Sequence, residues 1–291
     1  MSVQRVICDL ADIRFCFNEL PSGAFKPSFQ SFLSQDGTRA VTCFIDVTGA
    51  THQLCEMRLK SGWHFLQHEG QACLMGANSA GEVMWRLTGQ HPFDRLRFEW
   101  HPTAFDELYG QVACGRFNVV AILALVLRLL PLGGLVLHGS AQVVDGNGII
   151  CTGPSGSGKS TLSALFHSSA VTVLTDEHPI IRPFGPESVT GFRVYGSPWP
   201  SSGGYVSNLS APLKKIYFIE HGAENVITPL STREAVLRLL DVSLVPWMDT
   251  SFFDPLIRTL ETLIGVVPHA VLRFRPESTA VETVLRDLRS V

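Results

Sequence analysis

The sequence predicts two domains, a β-rich (α+β) N-terminal domain over residues 1–115 and an α/β domain over residues 116–291. Three observations lead to this division. The chain has 291 residues, of which 45% are hydrophobic, so it can bury two cores of ordinary size. Short extended segments separated by Gly, Pro, Asn and Asp fill the first part. In the second part, strand patterns alternate with helix patterns, as they do in α/β domains.

The N-terminal part contains strand patterns but no recognisable catalytic motif. Residues 41–47 are rich in β-branched and aromatic side chains, and residues 62–70 form a second extended segment between two glycines. Residues 79–87 are predicted to form a short helix. The histidines and tryptophans are scattered without metal-ligand spacing, so we expect the tryptophans to lie in the core or in an interface.

The second part begins with an apolar helix over residues 118–130 and continues with a hairpin around the turn Asp145-Gly-Asn-Gly. Gly and Asn tolerate the positive φ that such turns require. Ser231 and Glu234 form a capping-box pattern, which predicts the start of a helix. The other predicted elements are strands at 135–138, 141–144, 148–151, 171–175, 215–220 and 270–274, and helices at 252–264 and from 277.

Charge and hydropathy argue against several classes of function. The formal net charge is -3 and no block of like charge occurs, so we expect no nucleic-acid partner. The longest apolar run, residues 119–130, is shorter than the ~20 residues that span a bilayer, so we expect no membrane segment. Asp9 and Asp12 interrupt any signal-type apolar core, and we expect a cytoplasmic location. Seven separated cysteines without a C-x-x-C pair indicate reduced thiols.

A phosphate-binding loop pattern, G-x-x-x-x-G-K-[ST], follows the predicted strand 148–151 and precedes a helical pattern, as its chemistry requires. Its glycines let backbone N–H groups converge on phosphate oxygens at the positive end of a helix. Lys159 would contact the β- and γ-phosphates, the Ser160 hydroxyl would bind Mg²⁺, and Thr161 would pack or cap. The sequence therefore predicts a nucleotide site formed by Gly153, Pro154, Ser155, Gly156, Ser157, Gly158, Lys159, Ser160 and Thr161.

Two adjacent carboxylates, Asp176 and Glu177, follow the predicted strand 171–175, a short distance after the loop. In the large strand-inserted ATPases the acidic strand comes much later, after a Leu-Ser-Gly-Gly-Gln signature that this chain lacks. Carboxylates in this position are expected to bind Mg²⁺ or to act as a general base, and the alternative is that they only end a strand. We therefore predict that Ser160, Asp176 and Glu177 bind the metal.

These segments, taken together, resemble a known family. The run Leu137-His-Gly-Ser-Ala, the hairpin, the phosphate-loop pattern and Leu174-Thr-Asp-Glu-His, in this order and spacing, resemble the catalytic domain of HPr kinase/phosphorylase. The acidic run is also similar to ATP-dependent phosphoenolpyruvate carboxykinase, which shares that nucleotide-binding core. The resemblance covers residues 116–291 and implies a P-loop kinase domain that binds ATP and Mg²⁺.

The resemblance also implies roles for single residues. Asp176 matches the acid that receives the proton from a serine hydroxyl, and Glu177 matches a second acid, which is Asp in the family. His138 matches the histidine that orients the acidic pair. The family's Glu-Ile-Arg-Gly signature has no counterpart, because residues 195–204 read Tyr-Gly-Ser-Pro-Trp-Pro-Ser-Ser-Gly-Gly. This segment is either a substrate loop or a structural turn.

The leading interpretation is an ATP- and Mg²⁺-dependent kinase that phosphorylates a serine hydroxyl of a protein or peptide, with residues 1–115 recognising the partner. Two alternatives stay open, a small-molecule kinase and a nucleotide-dependent binding module that switches conformation without turnover. Phosphoryl transfer also needs a cation that stabilises the transition state. The sequence leaves homo-oligomer formation open, and it does not choose this cation among Arg182, Lys214, Lys215, Arg273 and Arg275.

Overall fold

The computed structural model describes residues 3–21, 25, 27–34, 41–49, 52–68, 71–101, 113–185, 191–245 and 252–290. The chain divides into two compact units. The first consists of Met1–Pro131 and Pro246–Thr250, and the second consists of Leu132–Val245 and Ser251–Val291. Each unit contains its own sheet, so the fold is a mixed α/β fold with two sheets. Among the described residues, no helix is long and apolar enough to cross a membrane.

The first unit is β-rich, as predicted. Its elements are β1 (Val3–Leu10), β2 (Ile13–Pro21), β3 (Val41–Gly49), α1 (His52–Glu56), β4 (Gly62–His68), β5 (Gln71–Ala77), β6 (Val83–Gln90), β7 (Arg95–Trp100) and α2 (Ala113–Leu129). The strands form one sheet in the order β1-β2-β3-β7-β6-β5-β4. The pairs β2–β3 and β3–β7 are parallel, and the others are antiparallel. Fully buried Phe15, Ile45 and Leu87 contribute to its core.

The predicted helix over residues 79–87 is wrong. The Asn78 side chain accepts hydrogen bonds from the backbone N–H groups of Ala80 and Glu82, at 3.0 and 2.9 Å, and so stabilises a turn after β5. From Val83 the chain continues as β6, which pairs antiparallel with both β5 and β7. The side-chain bonds of Asn78 thus replace the helical start that the local pattern predicts.

The division between the units does not follow the predicted boundary after residue 115. That position lies inside α2, which the prediction assigned to the second domain as helix 118–130. The structure groups the whole helix with the first unit, so the units divide after Pro131. Leu125, Leu127 and Leu129 are all fully buried. The sequence of a helix that is apolar on all sides does not indicate which of two cores the helix joins.

The second unit has the alternation of strands and helices that the sequence predicts. Its strands are β8 (Leu135–Val136), β9 (Gly139–Val144), β10 (Asn147–Thr152), β11 (Thr172–Thr175), β12 (Ile180–Phe184), β13 (Gly191–Tyr195), β14 (Ser210–His221), β15 (Val226–Pro229) and β16 (His269–Phe274). Its helices are α3 (Lys159–Ser168), α4 (Thr232–Val242), α5 (Phe253–Val266) and α6 (Thr279–Ser290). Ser231 caps α4 by accepting a hydrogen bond from the Glu234 N–H, which confirms the capping prediction.

The sheet of the second unit is organised around β14. This strand pairs in parallel with β10 and with β16, and its first residues pair antiparallel with β13. β9 joins the other side of β10, and β11 joins β9. Because β10, β14 and β16 are parallel, their carboxyl ends lie at the same edge of the sheet. This is the edge at which α/β proteins usually bind ligands.

One hydrophobic core cluster of the second unit lies between this sheet and the helices α3 and α6. Leu162 and Phe166 of α3 and Val284 of α6 are fully buried in one cluster with Cys151 and Tyr217 of the central strands. Burying apolar area of this kind stabilises the fold by roughly 25 cal/mol per Å². The cluster fixes the start of α3 relative to the end of β10, and therefore fixes the loop between them.

A buried polar contact attaches α6 to β14 and generates the first prediction. The Asp287 carboxylate accepts hydrogen bonds from Lys215 Nζ at 2.7 Å and from the Tyr217 hydroxyl at 2.6 Å. Lys215 is only 6% exposed, so Asp287→Ala would leave a buried ammonium without its counter-ion. We expect the free energy of unfolding to fall by about 3 kcal/mol in chemical denaturation. Glu261→Ala, at an exposed site on α5, is the control; an equally small loss in both variants would contradict the prediction.

Candidate functional site

The predicted phosphate-binding loop lies between the end of β10 at Thr152 and the start of α3 at Lys159. Gly156 and Gly158 have φ values of 79° and 97°, in the region that favours glycine. A Cβ atom at Gly158 would also lie 2.8 Å from Cζ of Phe274. α3 has no side-chain cap at its N-terminus. Its first backbone N–H groups are therefore not satisfied by a capping side chain, which suits them to an anion.

Lys159 is the cation of this loop. Its side chain is folded back, and Nζ donates hydrogen bonds to the carbonyl oxygens of Gly153 and Pro154, at 2.8 and 3.0 Å. Only 7% of the residue is exposed. Burial lowers the pKa of Lys159, and the negative charge of Glu177 opposes this shift. The carboxylate of Glu177 therefore helps to keep the buried ammonium charged.

β9 brings His138 and Glu177 to the loop. It pairs with β10 in a register that places Gly139 opposite Thr152, and the Thr152 hydroxyl donates a hydrogen bond to the His138 carbonyl at 2.8 Å. On the other side, the Gly139 N–H donates to the Glu177 carbonyl at 2.9 Å. The side chains of His138 and Glu177 meet with Nδ1 and Oε1 3.2 Å apart. Two residues that are distant in sequence therefore form a pair next to the loop.

The environment favours the neutral form of the two histidines at the site. The pKa of His138 is lowered by burial and then by the positive charge of Lys159, while the charge of Glu177 raises it. The pKa of His178 is lowered mainly by burial, again opposed by Glu177. Burial disfavours the charged form of an imidazole, and a nearby carboxylate compensates only in part.

Asp176 has a different environment from its neighbour Glu177. It is 1% exposed, and each of its carboxylate oxygens accepts a backbone hydrogen bond, Oδ1 from the Ser201 N–H at 3.0 Å and Oδ2 from the Gly203 N–H at 2.9 Å. Burial raises the pKa of Asp176, and these N–H groups oppose the shift. A Cβ atom at Gly203 would lie 2.5 Å from Oδ2, so the contact requires glycine.

Further contacts attach the segment of residues 196–206 to the end of β11. The hydroxyl groups of Thr175 and Ser197 are 3.2 Å apart, and Thr175 also forms a β-bridge with Val206. A Cβ atom at Gly196 would lie closer than 3 Å to the carbonyl oxygens of both Ser207 and Leu174. Asp176 is thus the central anchor of this segment, which includes most of the candidate substrate loop 195–204. Its role as a general base or metal ligand stays a prediction.

The five candidate cations have different surroundings. Lys215 contacts Asp287 in the core. Arg273 and Arg275 pair with Glu220 and Glu277. Lys214 and Arg182 are half-buried on β14 and β12. None of these observations assigns one of the five as the transition-state cation.

Two histidines at the site, His178 and His221, are not among the residues to which the sequence pattern gives a role. His178 lies beside His138, with ring centroids 6.2 Å apart. His221, at the end of β14, has Nε2 2.7 Å from the Gly156 carbonyl oxygen of the loop. His178 is part of the acidic run that carried the resemblance, so a signal was present. No local pattern signals His221, because it reaches the loop only through the pairing of β10 with β14.

No protein-family model matches the sequence, and no curated protein matches it. Among solved structures, the chain is similar to the HPr(Ser) kinase/phosphatase from Coxiella burnetii, with 14% sequence identity and a TM-score of 0.30. The match covers 53% of this chain and 90% of that chain. The relationship between the two structures is therefore distant.

The two backbone hydrogen bonds to Asp176 generate the second prediction. In Asp176→Asn the side chain keeps one carbonyl oxygen and gains an amide donor, so it cannot accept from both Ser201 and Gly203. We expect amide hydrogen exchange at these two residues to become at least about tenfold faster, which corresponds to about 1.4 kcal/mol of lost protection. Glu177→Gln is the matched control and should leave these amides protected. Unchanged exchange in Asp176→Asn would mean that other contacts hold the segment.

Proposed function

We propose that this protein is an ATP-dependent kinase that transfers the γ-phosphoryl group of Mg·ATP to a serine hydroxyl of a protein or peptide, in the manner of HPr kinase/phosphorylase. One observation carries the proposal: the glycine loop with Lys159 lies at the same sheet edge as the His138–Glu177 pair. A phosphate cradle, a cation and a proton acceptor are the groups that phosphoryl transfer requires of a protein.

The loop would bind the phosphates in the following way. Backbone N–H groups of Ser155, Gly156 and Gly158 and the uncapped start of α3 would supply donors at the positive end of a helix. Lys159 Nζ would exchange the carbonyl oxygens of Gly153 and Pro154 for anionic phosphate oxygens, which are stronger acceptors. Mg²⁺ would enter with ATP and be held by the phosphates and the Ser160 hydroxyl, where it would neutralise charge on the phosphates.

Glu177 is the better candidate for the proton acceptor. Its carboxylate is partly exposed and lies beside His138, whereas both oxygens of Asp176 already accept backbone hydrogen bonds. A general base must come within hydrogen-bond reach of the proton that it accepts. Glu177 would take the proton of the acceptor hydroxyl as the γ-phosphoryl group is transferred, and His138 would hold the carboxylate in position. Asp176 would act indirectly, by holding residues 201–203 in place.

The identity of the molecule that receives the γ-phosphoryl group distinguishes the leading proposal from its alternatives. Incubating the protein with γ-labelled ATP and lysate fractions, and then identifying labelled products by mass spectrometry, tests it directly. Label on a serine of a protein or peptide supports the proposal, and label on a metabolite favours a small-molecule kinase. Tight binding of Mg·ATP without any turnover would favour a nucleotide-dependent switch.

Lys159→Ala should lose nearly all Mg·ATP turnover, because a charge-assisted contact worth roughly 1.5–3 kcal/mol disappears and more is lost as charge develops in the transition state. Steady-state ATP hydrolysis with water as acceptor is the measurement. Lys60→Ala, at an exposed lysine of the first unit, is the control. If Lys159→Ala keeps the kcat of the unmodified protein, the loop is not the phosphate site.

The fourth prediction separates the two acids. Glu177→Gln should keep Mg·ATP binding and lose roughly 10²–10⁴-fold in kcat, the usual contribution of a general base. Asp176→Asn should lose less kcat, because the Asp176 carboxylate acts only through the backbone of residues 201–203. Nucleotide binding and hydrolysis are measured for both variants under the same conditions. The reverse order of the two losses would restore Asp176 as the base.

A further inference from the structure

His178 lies in a group of three side chains at the site, and the proposed kinase reaction gives roles to the other two members but none to His178. His138, Glu177 and His178 each offer one ligand atom, and the three atoms lie within 4.8 Å of one another. All three residues are half-buried. His178 has no role in the proposed transfer, and its Nδ1 atom is buried without a hydrogen-bond partner among the described residues. A buried imidazole nitrogen without a partner is unusual and calls for an explanation.

The composition of this group fits a transition-metal ion. Two imidazoles and one carboxylate are ligands that Zn²⁺ prefers, whereas Mg²⁺ requires an octahedron of oxygen atoms. Around tetrahedral zinc, bonds of about 2.0–2.1 Å separate neighbouring ligand atoms by about 3.3 Å. Nδ1 of His138 and Oε1 of Glu177 are already 3.2 Å apart. The ligand atom of His178 lies within 4.8 Å of both, so it would have to move closer to them to complete a three-ligand site with one open position.

The backbone beneath the group is held firmly. The Leu137 N–H donates to the Pro179 carbonyl at 3.1 Å, and the Gly139 N–H donates to the Glu177 carbonyl at 2.9 Å. The His138 N–H donates to the Val242 carbonyl at 2.7 Å. The two segments that carry the ligands are therefore paired directly on both sides of His138. Ligands on a rigid backbone lose little conformational entropy when they bind a metal.

We propose that His138, Glu177 and His178 form a Zn²⁺ site, separate from the Mg²⁺ that accompanies ATP, and that zinc bound there stops phosphoryl transfer. The second part rests on the proposed function, because zinc would occupy the carboxylate of Glu177 that takes the proton. Lys159 repels a cation at this position, and the Glu177 charge offsets that repulsion. Zinc binding itself does not require the proposed function to be correct.

Metal binding is tested on the full-length protein without nucleotide. Zn²⁺ is titrated by calorimetry in a buffer that contains millimolar Mg²⁺, and retained zinc is counted by mass spectrometry after dialysis. The unmodified protein should bind one zinc ion, and His178→Asn should bind it at least about 100-fold more weakly. His167→Asn, at an exposed histidine of α3, is the control and should bind normally. Equal affinity in His178→Asn, or no zinc bound by the unmodified protein, would overturn the site.

A second measurement does not depend on whether His178→Asn folds. Co²⁺ added to the unmodified protein should give the strong visible absorption of a four- or five-coordinate ion with nitrogen ligands. The weak spectrum of six-coordinate cobalt would overturn the assignment.

The effect on turnover is tested separately. Saturating Zn²⁺ should inhibit hydrolysis of Mg·ATP by the unmodified protein at least about tenfold and should leave hydrolysis by folded His178→Asn nearly unchanged. If zinc binds but does not inhibit hydrolysis, the claim that zinc stops phosphoryl transfer is refuted, and the zinc site itself is not. A protein that binds zinc but never hydrolyses Mg·ATP would refute the proposed function alone.

Discussion

The pairing of β9 with two neighbours is the constraint on which the candidate site depends. On one side its register with β10 sets Gly139 opposite Thr152, directly before the loop. On the other side it pairs with β11, which ends immediately before Asp176. One short strand therefore brings together His138, the glycine loop and the two acids. A slip of one residue would turn each side chain to the opposite face of the sheet.

The charge of the buried Lys159 ammonium is compensated by its neighbours at the site. An ammonium that is 7% exposed needs compensation, because burial disfavours its charged form. The carbonyl oxygens of Gly153 and Pro154 provide hydrogen bonds, and Glu177 provides a negative charge. His138 is influenced by both charges, in opposite directions. Any anion that displaces the two carbonyl groups would change the charge balance of the whole cluster, and its binding would then be coupled to the protonation of His138.

The sequence predicted the parts of this structure that local patterns encode. The loop is a run of consecutive residues with fixed glycines, and the hairpin 141–144 and 148–151 has a turn signal, so both could be located. The helix over residues 79–87 was wrong because Asn78 forms local side-chain bonds that a periodicity pattern does not include. The relation of α2 to the first unit could not be predicted, since a helix with apolar residues on all sides fits either core.

The different contacts of the two adjacent acids could not be predicted from the sequence. Successive residues at the end of a strand point in opposite directions. Asp176 therefore faces the backbone of residues 201–203, and Glu177 faces His138 and Lys159. The motif placed both acids near the loop, but it did not contain the partner segment, which lies some 25 residues further along the chain. The buried acid is therefore an anchor for residues 201–203, and Glu177 is the member of the pair that stays partly exposed.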